Sequence, residues 1–149
     1  MAQRVNACMG GKPSILLIGV GRFGAKHLRV LRALHRRRRI RLAGVVARRA
    51  SVRRALTNTG IPVFSEVTPA LLRTVDAVDA VTPASTHYEI VKACLPYTHV
   101  FVEKPLALTS REAADLVRRA RRYRKQLLLG RNFRVNRAVQ PLRAHVPRR

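Results

Sequence analysis

Acidic residues are scarce in this sequence: seven Asp and Glu stand against 31 Lys and Arg, a formal net charge of +24. So few carboxylates cannot pair with so many cations, and most of the arginines must therefore be solvated. Tryptophan is absent, and four Phe and three Tyr are the only aromatics. None of them alternates with arginines, which speaks against a base-stacking surface of the ribonucleoprotein type. Two cysteines, Cys8 and Cys94, make no disulfide framework, and the five histidines show no metal-ligand spacing with either of them. No window reaches the ~18 uninterrupted apolar residues of a membrane span. The opening MAQRVNACMGGK lacks the apolar centre of a secretory signal. These absences point to a reduced, soluble, cytoplasmic domain without metal or membrane.

What is present is a core. Apolar residues make up 47% of 149 positions, enough for one compact domain. The cations gather in HRRRRIR (35–41), ARRASVRR (47–54) and RRARRYRK (118–125). They fit solvated helix faces, and they would attract polyanions non-specifically through counterion release.

Strand and helix patterns alternate along the chain. SILLIG (14–19) is a short continuous apolar run, as expected of a strand buried on both faces. A helix is expected over 23–36, with Ala25, Leu28, Leu31 and Leu34 forming its inward stripe. RLAGVVA (41–47), IPVF (61–64), VDAVDAVTP (75–83), THVFVE (98–103) and QLLLG (126–130) read as the next five strands. Helices are expected over SVRRALTN (51–58), over TPALLRT with Thr68 as cap and Pro69 at the first position, over THYEIVKACL (86–95), and from Thr109 to about 124. Thr86 with Glu89, and Thr109 with Glu112, have capping-box spacing. This order predicts an α/β fold: a doubly wound, mostly parallel sheet of about six strands, the Rossmann dinucleotide-binding arrangement. Residues 1–13 read as a loose leader, 14–131 as the domain, and 132–149 as a connecting helix with a basic tail.

GVGRFG places Gly19, Gly21 and Gly24 in G-x-G-x-x-G spacing directly between the first strand and the first helix. In that context Gly19 permits the tight turn, Gly21 lets backbone amides approach a pyrophosphate, and Gly24 lets helix pack on strand. The second strand then ends in Val46, Ala47, Arg48 and Arg49, where an acid would hold an adenosine ribose 2′-hydroxyl. Two guanidiniums suit a 2′-phosphate instead, which favours NADP over NAD.

Three segments, ILLIGVGRFGAKH, DAVTPASTHYEIVKACL and HVFVEKPLALTSREAADLV, occur in the order found in the glucose–fructose oxidoreductase / inositol dehydrogenase family (Gfo/Idh/MocA), which this chain resembles. GRNFRVNRAVQPL is a looser fourth match. The resemblance implies hydride transfer between a nicotinamide cofactor and a sugar- or polyol-type hydroxyl. It makes Lys104 the counterpart of the lysine beside nicotinamide and substrate, flanked by Glu103 and by Pro105, whose peptide bond is often cis. It further implies cofactor-binding roles for Arg22 and Phe23 of the glycine turn, for Thr82 and Pro83, for His87, which matches the histidine that follows them, and for Arg134 just past the sixth strand. In a strand Glu103 and Lys104 point to opposite faces, so they need not neutralise each other. Lys104 at a strand end, near the switch between first and fourth strands, is placed for proton relay from an alcohol.

The sequence departs from the family in three ways. The resemblance implies a second, substrate-binding domain with an Asp-x-x-x-His pair, and no Asp here is followed four places later by His. The chain ends at Arg149, where that domain would begin, so a longer parent or a separate chain is expected to supply it. Asp79 lies inside the fourth strand, where a buried carboxylate is costly unless paired, and Tyr97 takes a helix-ending position that often wants φ > 0. Two further readings stand beside the oxidoreductase domain: a non-catalytic cofactor-binding remnant or sensor, and a basic nucleic-acid-binding protein.

Overall fold

The computed structural model describes residues 11–131. Six strands alternate with five helices in this region: β1 (Ser14–Ile18), α1 (Gly24–Arg36), β2 (Arg41–Val46), α2 (Ala50–Leu56), β3 (Val63–Phe64), α3 (Pro69–Leu72), β4 (Ala77–Ala80), α4 (His87–Cys94), β5 (His99–Val102), α5 (Ser110–Arg122) and β6 (Leu127–Leu129). All pairings are parallel, and the sheet order is β3-β2-β1-β4-β5-β6. The chain runs outward from β1 to β3, then crosses back to lay β4 against the other side of β1. That reversal creates a crevice beyond the strand ends between β1 and β4, where open α/β sheets bind ligands.

The central strands are buried on both faces because each face has its own core. Leu16 and Ile18 of β1 join Val78, Ala80, Val100, Val102, Val91 and Leu116 under α4 and α5. Leu17 points the other way, into Leu28 and Leu31 of α1 with Leu42 and Val45 of β2. Continuous apolar runs rather than alternating ones follow directly from that double burial. The start of β1 is tied to β4 by Asp76, whose Oδ2 accepts from the Ser14 amide (2.7 Å) and hydroxyl (2.9 Å).

Helix ends show where local sequence rules held. Thr68 Oγ1 accepts from the Leu71 amide with Pro69 at the first helical position. Thr109 and Glu112 form the reciprocal capping box of α5. The expected box at Thr86 and Glu89 does not form. Residues 84–86 wind as a 3₁₀ turn, so Thr86 (φ −104°, ψ −8°) lacks the extended backbone that aims a capping oxygen at the helix amides. Its hydroxyl donates instead to Pro83 O at 2.7 Å, with Thr82 Oγ1 2.8 Å away. In α1 the inward position expected of Ala25 belongs to Gly24, and Ala25 is exposed.

Tyr97 is not in the left-handed region; the non-glycine residues there, among those described, are Arg38 (φ 56°) and Arg124 (φ 52°), just past α1 and α5. The Tyr97 ring lies 4.7 Å from the Arg73 guanidinium. Helices α4 and α5 are linked through Asp115, which accepts from Tyr88 Oη, Arg118 and Arg119. The Arg119 hydrogen bond, above all, holds that carboxyl below its usual range. Cys94 is buried, and burial pushes its thiol up to about 12, so it packs as a small apolar group. No helix among the described residues is long and apolar enough to cross a membrane.

Candidate functional site

The three glycines of the β1–α1 turn have separate physical roles. Gly19 has φ 94°, and a Cβ there would fall 2.4 Å from Val81 O; a Cβ on Gly24 would fall 2.2 Å from Gly19 O. These two are fixed by close backbone packing of β1, β4 and α1. A Cβ on Gly21 would meet nothing within 4 Å. Its hydrogen faces open space at the N-terminal end of α1, where orphan amides and the helix dipole favour an anion.

That space opens into a cleft of about 2080 Å³ along the carboxyl ends of the strands. Roughly 300–1,000 Å³ encloses a drug-sized ligand, so this volume suits an extended one such as a dinucleotide. Of the residues expected from sequence, Gly19, Gly21, Phe23, Gly24, Arg48, Arg49, Thr82, Pro83, Glu103 and Lys104 all line it. Arg22, His87 and Pro105 are not part of its wall, and Arg134 lies outside the described residues.

At one end of the cleft Arg48 and Arg49 are exposed, and neither forms an ion pair among the described residues. The loop that carries them is fastened from below, since Arg53 Nη1 donates to Ala47 O at 2.9 Å and also to Arg48 O. Ser65 and Glu66, from the loop after β3, line the cleft as well. Sequence reasoning missed Arg53, Ser65 and Glu66. Arg53 was one cation among many in a basic run, and β3 has just two paired residues, too short a strand to mark its loop.

At the other end Lys104 is exposed and Glu103 buried, consistent with opposite faces. The Lys104–Pro105 peptide bond is cis. His87 is 1% exposed: its Nδ1 lies 2.6 Å from Pro105 O and its Nε2 2.9 Å from Thr82 O. It thus joins the loops after β4 and β5 without reaching the cleft.

Beneath Glu103 is a second polar group. His27 Nδ1 lies 2.8 Å from Asp79 Oδ2, and His27 Nε2 lies 3.5 Å from Glu103 Oε1. The Asp79 carboxylate thus has a partner, as its burial required. Desolvation outweighs that partner and raises the Asp79 pKa above the ordinary carboxyl value. His27 carried no signal of its own, although it closes the segment ILLIGVGRFGAKH.

A parallel sheet in this order, with a glycine turn at the end of β1 and a ligand-sized cleft at the β1–β4 switch, defines a Rossmann dinucleotide-binding domain. Residues 14–131 match the model of the Gfo/Idh/MocA oxidoreductase family, NAD-binding Rossmann fold, and the chain belongs to that family. Among relatives, the UDP-N-acetylglucosamine 3-dehydrogenase of Acidithiobacillus ferrooxidans is 35% identical over 85% of this chain and 39% of its own. The crystal structure of that enzyme superposes with a TM-score of 0.79 at 32% identity, covering 90% of this chain and 43% of that one. An NAD-binding protein from Listeria innocua superposes with a TM-score of 0.73 at 28% identity, over 83% of this chain and 35% of that one. The chain thus spans about two fifths of the length of these relatives.

Proposed function

We propose that this chain is the NADP-preferring cofactor domain of a dehydrogenase acting on a sugar-type hydroxyl, and that Lys104 is its catalytic residue. The observation that carries this is the convergence of three strand ends, Gly19–Gly21–Gly24, Thr82–Pro83 and Glu103–Lys104, on one cleft. The open side of Gly21 fits a pyrophosphate against the α1 amides. Arg48 and Arg49 fit a 2′-phosphate, because guanidiniums can fork onto its oxygens. When bound, a nicotinamide ring supplies the hydride acceptor or donor. At that end of the cleft, Lys104 Nζ takes the proton of a substrate hydroxyl or returns it, so hydride and proton leave the same alcohol.

The UDP-sugar substrate of the Acidithiobacillus relative makes a sugar nucleotide the first class to try. Turnover is proposed for this domain together with a substrate-binding domain, from a longer chain or a separate one. Fluorescence titration of NADPH and NADH at moderate salt tests the cofactor reading. NADPH should bind more tightly than NADH, and Gly21→Val should abolish binding without lowering Tm. Equal binding by Gly21→Val, or none by the wild type, would overturn it, and tighter NADH binding would overturn the NADP preference.

A further inference from the structure

Seven carboxylates serve the whole of this basic chain, and two of them, Asp79 and Glu103, are buried around one imidazole. Asp79 on β4 and Glu103 just past β5 are each 7% exposed. Asp79 Oδ1 and Glu103 Oε1 have no hydrogen-bond partner. Buried acceptors left unsatisfied destabilise a fold, so such an arrangement calls for a reason outside stability. Its location suggests one. Glu103 Oε2 accepts from the backbone amide of Lys104 at 3.3 Å. The carboxylate is wedged between His27 and the backbone of Gly130, where an added Cβ would fall 2.6 Å from Oε1. The imidazole of His27 turns one ring nitrogen toward each carboxylate. Phe23 and Phe101 flank its ring, at centroid distances of 5.1 and 6.2 Å.

We propose that His27 and Asp79 are positioning residues for Lys104: Asp79 orients His27, His27 and Gly130 hold the Glu103 carboxylate, and that carboxylate anchors the Lys104 amide at the mouth of the cleft. With the His87–Pro105 contact on its other side, the lysine is fixed both before and after the cis peptide. The glycine-turn helix, through His27, thereby sets the lysine loop four strands later in sequence.

The affinity part of the test rests on the cofactor reading; the spectroscopic part does not. In ¹H–¹⁵N spectra of the full chain, Asp79→Val removes the partner of His27 Nδ1, and the Lys104 amide should shift. Asp79→Asn keeps an acceptor there and should restore the wild-type Lys104 position. His27→Asn keeps a donor toward Asp79 but loses the side facing Glu103, so it too should shift Lys104. The two shifting variants should weaken NADPH binding about tenfold, and Asp79→Asn by much less. If Asp79→Val does not fold, the His27→Asn and Asp79→Asn pair carries the test alone. An unmoved Lys104 amide in a folded His27→Asn or Asp79→Val variant overturns the inference. Wild-type chain that binds no dinucleotide while Lys104 shifts as described would remove the cofactor reading and leave the positioning intact.

Discussion

The two ends of the cleft are built on opposite principles. At the arginine end, Arg48 and Arg49 project into solvent from a loop that, among the described residues, Arg53 alone fastens by side-chain hydrogen bonds. At the lysine end, Lys104 sits on a loop held by His87 on one side, and on the other its amide donates to the Glu103 carboxylate, which faces His27 and, beyond it, Asp79. Long, free cations can capture a phosphate by charge from several directions and adjust on contact. In the proposed function Lys104 exchanges a proton with a substrate atom, a role that needs its position set beforehand. The same chain therefore uses abundant residues loosely where charge suffices, and scarce ones tightly where geometry matters.

The strongest way to break this contrast is His87→Ala. It leaves Thr82 O and Pro105 O without their buried partner, and the expected cost is about 3 kcal/mol of stability in urea unfolding. A loss below about 0.5 kcal/mol would mean that the lysine end is not clamped. Next, removing both Arg48 and Arg49 to alanine should lower NADPH affinity about tenfold to a hundredfold, with NADH affinity and Tm unchanged. Equal losses for the two cofactors would show that the arginines act only as general positive charge.

A smaller effect concerns pH. The folded-state pKa of Asp79 is raised, chiefly by burial, so the native chain keeps that proton to higher pH than the unfolded chain does. Its contribution to stability is full below the ordinary carboxyl pKa and is lost as pH rises through the raised value. Asp79→Asn should therefore flatten the decline in unfolding free energy from about pH 4 upward. An unchanged slope would place the decline elsewhere. The smallest expected change lies far from both ends. Arg38→Gly relieves a left-handed backbone at a residue bearing a Cβ and should stabilise by about 1 kcal/mol without altering cofactor affinity, as read by Tm and titration.

Much of this is legible in the sequence. Apolar runs such as SILLIG mark strands buried on both faces, and the Thr68–Pro69 and Thr109–Glu112 signals are local chemistry that a helix start satisfies by itself. The Thr86–Glu89 spacing was equally good and failed. Whether a threonine caps depends on its own φ and ψ, and a 3₁₀ turn fixed those. Ala25 and Gly24 exchanged places on the inward face of α1 for a similar reason: only a glycine fits against Gly19 O.

By itself, the sequence determined the order of elements, the sheet class, the glycine turn and the placing of Lys104 at a strand end, because periodicity, turn chemistry and motif spacing act over a few residues. Tertiary structure alone decided that His87 is a buried brace, and that Asp79 and Glu103 meet across His27. Those contacts join positions up to 76 residues apart in a chain whose folded sheet brings β1, β4 and β5 side by side. Separation in sequence carries no record of such meetings; only parallel packing creates them.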